Sequence, residues 1–206
     1  MSAPGAAPDI AATGGQTVPA RTHAPTPGQT VGPFFAYGVE FPHMNELVPP
    51  RSPGAIVLEG TVRDGLGSPI PDAFLEIWQT DADGAIPTAR GTLRRDGRAF
   101  TGFGRGFTDD EGGYHFWTRE PGAAEGRAAF ISVVVYARGL PNKLHTRAYV
   151  PAAPGDAAAE RALAADPLLS SLSADDRATL IATRTDAGLR FDVRLQGEKE
   201  TVFLAY

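Results

Sequence analysis

Short apolar blocks, each about the length of a strand and closed off by glycine, proline or acidic turns, repeat along most of the chain. Ala55–Arg63 (AIVLEGTVR) and Ala73–Gln79 (AFLEIWQ) read as strands. The intervening Asp64-Gly65-Leu66-Gly67-Ser68-Pro69 supplies either a hairpin or a turn between sheets. Phe107–Thr118 is an acidic glycine turn feeding a short aromatic strand, closed by Glu120-Pro121-Gly122. Phe130–Ala137 is rich in β-branched and aromatic residues; Gly139 and Pro141 interrupt it, and Leu144–Val150 resumes. Gly155–Ala165 and Ser173–Ala182 read as two short helices, the second with a serine cap. Arg190–Leu195 and Glu200–Leu204 return to strand around the turn Gln196–Lys199. Seven or eight strands and two minor helices predict a mainly β fold, a sandwich with short helical insertions. Ala85–Gly106 reads as a loosely structured surface excursion, with Phe103-Gly104-Arg105-Gly106 a glycine loop.

The N-terminal residues 1–22 are mostly Ala, Gly, Pro and Thr, and are expected to form a disordered tail ahead of one domain spanning 23–206. Thr26–Phe35 (TPGQTVGPFF) cannot be helical and predicts an extended arm, packed across the body through Phe34 and Phe35. Its alternative role is the rim of a pocket, since the backbone at Gly32 and Pro33 permits close approach of a ligand. Arg138 follows an apolar strand beside a glycine. It must either reach solvent or find an anionic partner.

With 206 residues, 42% of them hydrophobic, the chain can build one sizeable core. A net charge of -5 argues against a nucleic-acid or anionic-membrane partner. There is no apolar run of the roughly 20 residues needed to span a bilayer, and Met1–Ala20 lacks the pattern of a signal peptide. Zero cysteines exclude thiolate chemistry and fit a reducing compartment, so a soluble cytoplasmic protein is expected. Asp81-Ala82-Asp83-Gly84 is a turn rather than a calcium loop, because no glutamate stands at the twelfth position. No phosphate-binding loop or nucleophile elbow is present. A metal site would have to draw on His23, His43, His115 and His145, none paired at i, i+2 or i, i+4.

Several segments in order, Thr26–Phe34, Phe74–Gln79, Asp81–Gly84, Thr118–Gly122 and Arg190–Glu198, resemble the intradiol ring-cleaving dioxygenases, and the resemblance extends from Thr26 to Tyr206. In that family a catalytic chain holds Fe(III) with two tyrosines and two histidines. The resemblance places those ligand positions here at Ile86, at Ala124 (beside Ala123), and at Phe130 and Ser132. None of the four matches the family's ligand, and isoleucine, alanine and phenylalanine carry no lone pair for a metal. The resemblance therefore implies a chain that binds no metal, inactive alone, with a homologous beta subunit holding the Fe(III). It implies O2-dependent cleavage of protocatechuate to 3-carboxy-cis,cis-muconate at the junction of the two chains. Thr30, Gly32, Pro33 and Arg138 would line that pocket. The competing readings are a non-catalytic β-sandwich binding module and an independent metalloenzyme built on His115 and His145.

Overall fold

The computed structural model describes residues 28–205 except 33, 90–96, 98 and 125, so the tail at 1–22, His23 and Pro33 lie outside the described residues. In chain order the strands are β1 (Ala55–Arg63), β2 (Phe74–Gln79), β3 (Phe103–Phe107), β4 (Gly113–Arg119), β5 (Phe130–Tyr136), β6 (Leu144–Tyr149), β7 (Thr183–Thr185), β8 (Gly188–Arg190) and β9 (Val193–Arg194). One sheet runs β4-β1-β8-β7 with β9 also on β1; the other runs β3-β2-β5-β6. The helices α1 (Ala157–Ala165), α2 (Pro167–Ser171) and α3 (Ala174–Ala178) form the insertion between β6 and β7. The expected mainly β sandwich with short helical insertions is what the chain forms.

Successive side chains on a strand point to opposite faces, and the inward sets are apolar. Leu58 and Val62 on β1, Phe116 on β4, Leu75 and Ile77 on β2, and Ile131, Val133 and Val135 on β5 are all fully buried. Burying a side chain of this kind is worth roughly 1.5–3 kcal/mol. The Asp64–Pro69 segment joins the two sheets rather than closing a hairpin, since β1 and β2 lie in different sheets. Asp64 Oδ1 accepts the amides of Leu66 (2.9 Å) and Ser68 (2.8 Å), which holds the turn.

Phe103–Gly106 is not a glycine loop. It is most of β3, paired with β2 in the register Leu75–Gly106 and Ile77–Gly104. A Cβ on Gly104 would stand 2.4 Å from Leu47 Cδ1, and one on Gly106 3.2 Å from Phe116 Cζ. The glycines are the hollow into which Phe116 and Leu47 pack, so a strand with low intrinsic propensity is fixed by its neighbours.

Two more elements depart from the pattern. Glu200–Leu204 does not form the expected strand. Glu200 and Thr201 N–H donate to the Gly197 and Arg194 carbonyls (3.1 and 3.0 Å), Val202 is held by side chains, its N–H by Thr179 Oγ1 (3.2 Å) and its C=O by Thr146 Oγ1 (2.8 Å), and Leu204 makes a single bridge to His145. In addition α2 appears where none was expected. Asp166, 3% exposed, caps it by accepting the amides of Leu168 and Leu169 at 3.0 and 3.2 Å, and the same Oδ1 accepts the Tyr149 hydroxyl at 2.9 Å. Asp166-Pro167 was the available signal, a capping residue followed by proline at the first helical position.

Between β8 and β9 the chain leaves the β1 ladder for Phe191-Asp192. The buried Phe191 carbonyl accepts the Tyr114 hydroxyl, which reaches it across Gly60. Burial drives the Tyr114 phenol pKa far above its ordinary value, with the Asp192 charge adding to the effect, so this donor stays protonated. Asp192 turns outward and accepts Thr61 N–H and Thr61 Oγ1–H, both at 2.9 Å, with Arg190 at 2.8 and 2.9 Å. Burial alone would raise the Asp192 pKa; the hydrogen bonds from Arg190 and Thr61 outweigh it and hold the carboxyl below its usual range. A depressed folded-state pKa contributes stability above the unfolded value, about 3.9, that is lost as pH falls through the folded one. Asp192→Asn is therefore expected to lower the urea midpoint at pH 7 and to flatten its decline below about pH 4. Parallel acid limbs for the two proteins would contradict this.

Candidate functional site

The sequence-predicted residues fall at two opposite ends of the β3-β2-β5-β6 sheet. At one end β2 finishes and β5 begins. Thr80 Oγ1 donates to Gly122 C=O and Gly122 N–H donates to Asp81 C=O, both at 2.7 Å. Gly84, with φ +82, passes so close that a Cβ there would lie 2.1 Å from Ala123 C=O. The loop leading to Ile86 is thus packed on the loop carrying Ala123 and Ala124. Buried Gln79 ties this end to the other sheet, accepting from Thr118 Oγ1 at 2.7 Å and donating to Arg119 C=O at 2.8 Å.

Phe130 and Ser132 start β5 on its outer face, opposite Tyr149 and Arg147 of β6. The Arg147 guanidinium lies 4.4 Å from the centre of the Phe130 ring and donates to the Tyr149 hydroxyl at 3.2 Å. Ile86 is 79% exposed. An exposed alkyl group, a methyl, a phenyl under a guanidinium and a neutral hydroxyl do not fit a ferric ion, which needs anionic oxygen or imidazole donors. Among the described residues no cluster of three or more His, Asp or Glu could hold a metal. His115 and His145 do not make one. His115 lies on the outer face of the first sheet, with its Nε2 3.1 Å from Asn45 Nδ2, and His145 on the outer face of the second.

At the other end β5 finishes and β2 begins. Thr30 Oγ1 accepts Gly139 N–H at 2.6 Å, and a Cβ on Gly28 would touch Pro141 at 3.3 Å, so the arm lies on the turn that carries Arg138. Gly139 takes φ +88, which bends that turn. Arg138 satisfies both of its alternatives. Its side chain is 52% exposed, and Nη2 stands 2.5 Å from Asp72 Oδ2. Gly32 is exposed, with open space where a Cβ would point. Of the two arm aromatics, Phe35 packs on Phe74 (5.4 Å between centroids) and Phe107 (6.4 Å), whereas Phe34 is 75% exposed and touches Tyr37. The expected packing holds for Phe35 and fails for Phe34, because one outward row, Phe107–Phe74–Tyr136, offers one slot.

The residues missed on reading the chain are Asp72, Glu76 and Arg105. Glu76 and Arg105 face each other across β2 and β3 as an ion pair with side chains 16% and 18% exposed. The signal was a glutamate inside an apolar strand, which needs a cation nearby. Tyr136 donates to Glu76 at 3.4 Å; burial, then the Glu76 charge, raises its pKa.

The two ends lie far apart. From Ser132 to Arg138 the chain advances six residues in nearly extended form, about 20 Å. A cavity of about 190 Å³ opens at the first of these ends, between α1 and the Glu120–Ala123 loop, with Ala128 and Ala129 also in its wall. Its guanidinium, Arg184, is committed to Glu120 (2.8 Å twice) and to Pro151 C=O (2.9 Å).

Comparison with known proteins agrees with this architecture. The sequence profile of the family described as Dioxygenase matches residues 32–197. The protocatechuate 3,4-dioxygenase alpha chain of Burkholderia cepacia is 40% identical over 86% of this chain and 95% of its own length. That of Pseudomonas putida is 36% identical over 88% and 96%. Among solved structures, the dioxygenase domain of a dioxygenase and carbohydrate-binding fusion from Streptomyces sp. SirexAA-E superposes with a TM-score of 0.54 at 27% identity, covering 84% of this chain and 99% of that one. Fold, profile and relatives agree: this chain belongs to the intradiol ring-cleaving dioxygenase family, among its alpha chains.

Proposed function

We propose that this chain is the metal-free alpha subunit of a protocatechuate 3,4-dioxygenase, with residues 23–206 acting as one domain in the cytoplasm. Its arm residues Thr30, Gly32 and Pro33, together with Arg138, complete the pocket of a homologous beta subunit that holds Fe(III). One observation carries this reading: the arm and Arg138 sit about 20 Å from the chain's own ligand positions, counted along β5. Those positions hold no metal donors of the family's kind, so the arm has no metal site of its own to roof, which supports a role at a neighbour's.

The partner's iron, when bound, supplies the ring-opening chemistry with O2. This chain supplies shape and charge. The backbone at Gly32 lets a flat ring approach closely. Arg138 is aimed by Asp72 through Nη2, and a guanidinium has further donors in its planar fork to meet the substrate carboxylate. Walling the pocket also excludes water, which strengthens that charge pairing. The product is 3-carboxy-cis,cis-muconate, both oxygen atoms of O2 being added across the broken bond.

The test is reconstitution. The purified chain alone is expected to hold less than a tenth of an equivalent of iron, show no tyrosinate-to-iron visible band and consume no O2 with protocatechuate. Addition of an iron-loaded beta chain is expected to produce ring cleavage. Stoichiometric ferric iron in the isolated chain, or a stable mixture that binds protocatechuate without cleaving it, overturns the proposal.

A further inference from the structure

The arm is held at two feet, one on either side of its exposed residues. At the first, Thr30 accepts Gly139 N–H at 2.6 Å. At the second, the backbone leaves the 3₁₀ turn Phe35–Gly38 at Val39, whose carbonyl accepts Arg105 Nη1–H at 2.7 Å. Between the feet, Gly32, Phe34 and Tyr37 are exposed. Arg105 is fully engaged around this contact. Its Nε donates to Glu76 Oε1 at 3.0 Å, its Nη2 donates to the same oxygen, and its backbone N–H reaches Met44 C=O at 2.8 Å. The guanidinium also lies 5.5 Å from the Phe74 ring and 5.9 Å from the Phe103 ring.

An ion pair so little exposed is a poor device for stability, since two well-packed apolar residues serve as well or better. What it adds is direction. Phe35 against Phe74 and Phe107 is an apolar contact, which holds the arm down and tolerates sliding. A charge-assisted bond from a guanidinium locked by Glu76 to a single carbonyl fixes the arm's position along the sheet. We propose that Arg105, oriented by Glu76, is a positioning residue that fastens the foot of the arm at Val39 and so sets where Gly32 and its neighbours stand in the partner's pocket. This inference rests on the subunit role proposed above. It assigns a function to a β2–β3 ion pair outside the residues proposed to line the pocket.

The experiment uses the double variant Arg105→Met/Glu76→Gln, which removes both charges so that neither is left buried alone. In the full chain, chymotrypsin cleavage after the exposed Phe34 and Tyr37 is expected to quicken at least tenfold, with the circular dichroism spectrum unchanged. In the assembled enzyme the KM for protocatechuate is expected to rise at least tenfold while kcat changes less than threefold, with assembly by size exclusion as in the wild type. A merely structural role would lower the yield of complex and leave KM alone. Should the double variant not fold, Arg105→Lys keeps the charge opposite Glu76 but lacks the fork that also reaches Val39, and the same arm release is expected. Unchanged cleavage and unchanged KM in a folded variant overturn the proposal. If the arm is released but the wild-type mixture never cleaves protocatechuate, the fastening stands and the subunit role falls.

Discussion

Gly60→Ala is expected to lower the thermal midpoint of the chain by about 10 °C or more. A Cβ at this position would lie 1.9 Å from the Phe191 carbonyl oxygen, 2.7 Å from its carbon and 2.9 Å from the Tyr114 hydroxyl. None of these atoms is the loose end of a flexible side chain. The Phe191 carbonyl is held by Tyr114, and Phe191 N–H donates to Glu59 C=O at 2.8 Å. Relief requires β1 to part from the β8–β9 segment, which opens a sheet lined by Leu58, Val62, Leu189 and Val193, all nearly or fully buried. Overpacking commonly costs about 1–3 kcal/mol. Adding the freed Phe191 carbonyl and the Tyr114 hydroxyl brings the expected loss to about 4 kcal/mol or more, against a total near 5–15 kcal/mol for a domain. Thermal unfolding followed by circular dichroism reads this directly. A midpoint within about 3 °C of the wild type would show that the strands can separate at little cost.

Arg138→Ala, assembled with the beta chain, is expected to lower kcat/KM for protocatechuate 10- to 100-fold while the chain itself remains folded. Two magnitudes separate site from scaffold. The Arg138–Asp72 pair is half-exposed, so its loss costs at most about 1 kcal/mol of stability. A charged hydrogen bond to a carboxylate in a closed pocket is worth about 1.5–3 kcal/mol, which is roughly the fold-change stated. Arg138→Lys should recover part of the loss, since it returns the charge without the planar fork. Steady-state O2 uptake at varied protocatechuate measures the effect, and thermal unfolding of the isolated variant controls for the fold. Unchanged turnover and assembly would make Arg138 a solvated surface cation paired to its own Asp72.

Where the chain's pattern is strong, its elements were legible one by one. Phe130–Tyr136 and Ala55–Arg63 are strands because β-branched and aromatic residues fit a pleated, half-buried surface. Asp166-Pro167 carries the same kind of local signal for α2, a cap and a fixed φ, although no helix was expected there. What local pattern cannot carry is complementarity between distant segments. Phe103–Phe107 is a strand only because Phe116 and Leu47 fill the hollows over Gly104 and Gly106. Nothing in FFAY alone says that Phe35 finds a slot and Phe34 does not.

The sequence by itself determined the sandwich, the family, and the chemistry missing at Ile86, Ala124, Phe130 and Ser132, because side-chain identity alone decides whether an atom can donate a lone pair to a metal. Only the tertiary structure decided that Arg138 is paired with Asp72, that Arg105 grips Val39, and that the arm and the ligand positions lie at opposite ends of one sheet. The physical reason is that these relations are set by strand order and by which residue faces which across the ladder. They connect residues dozens of positions apart, and no composition or spacing along the chain records them.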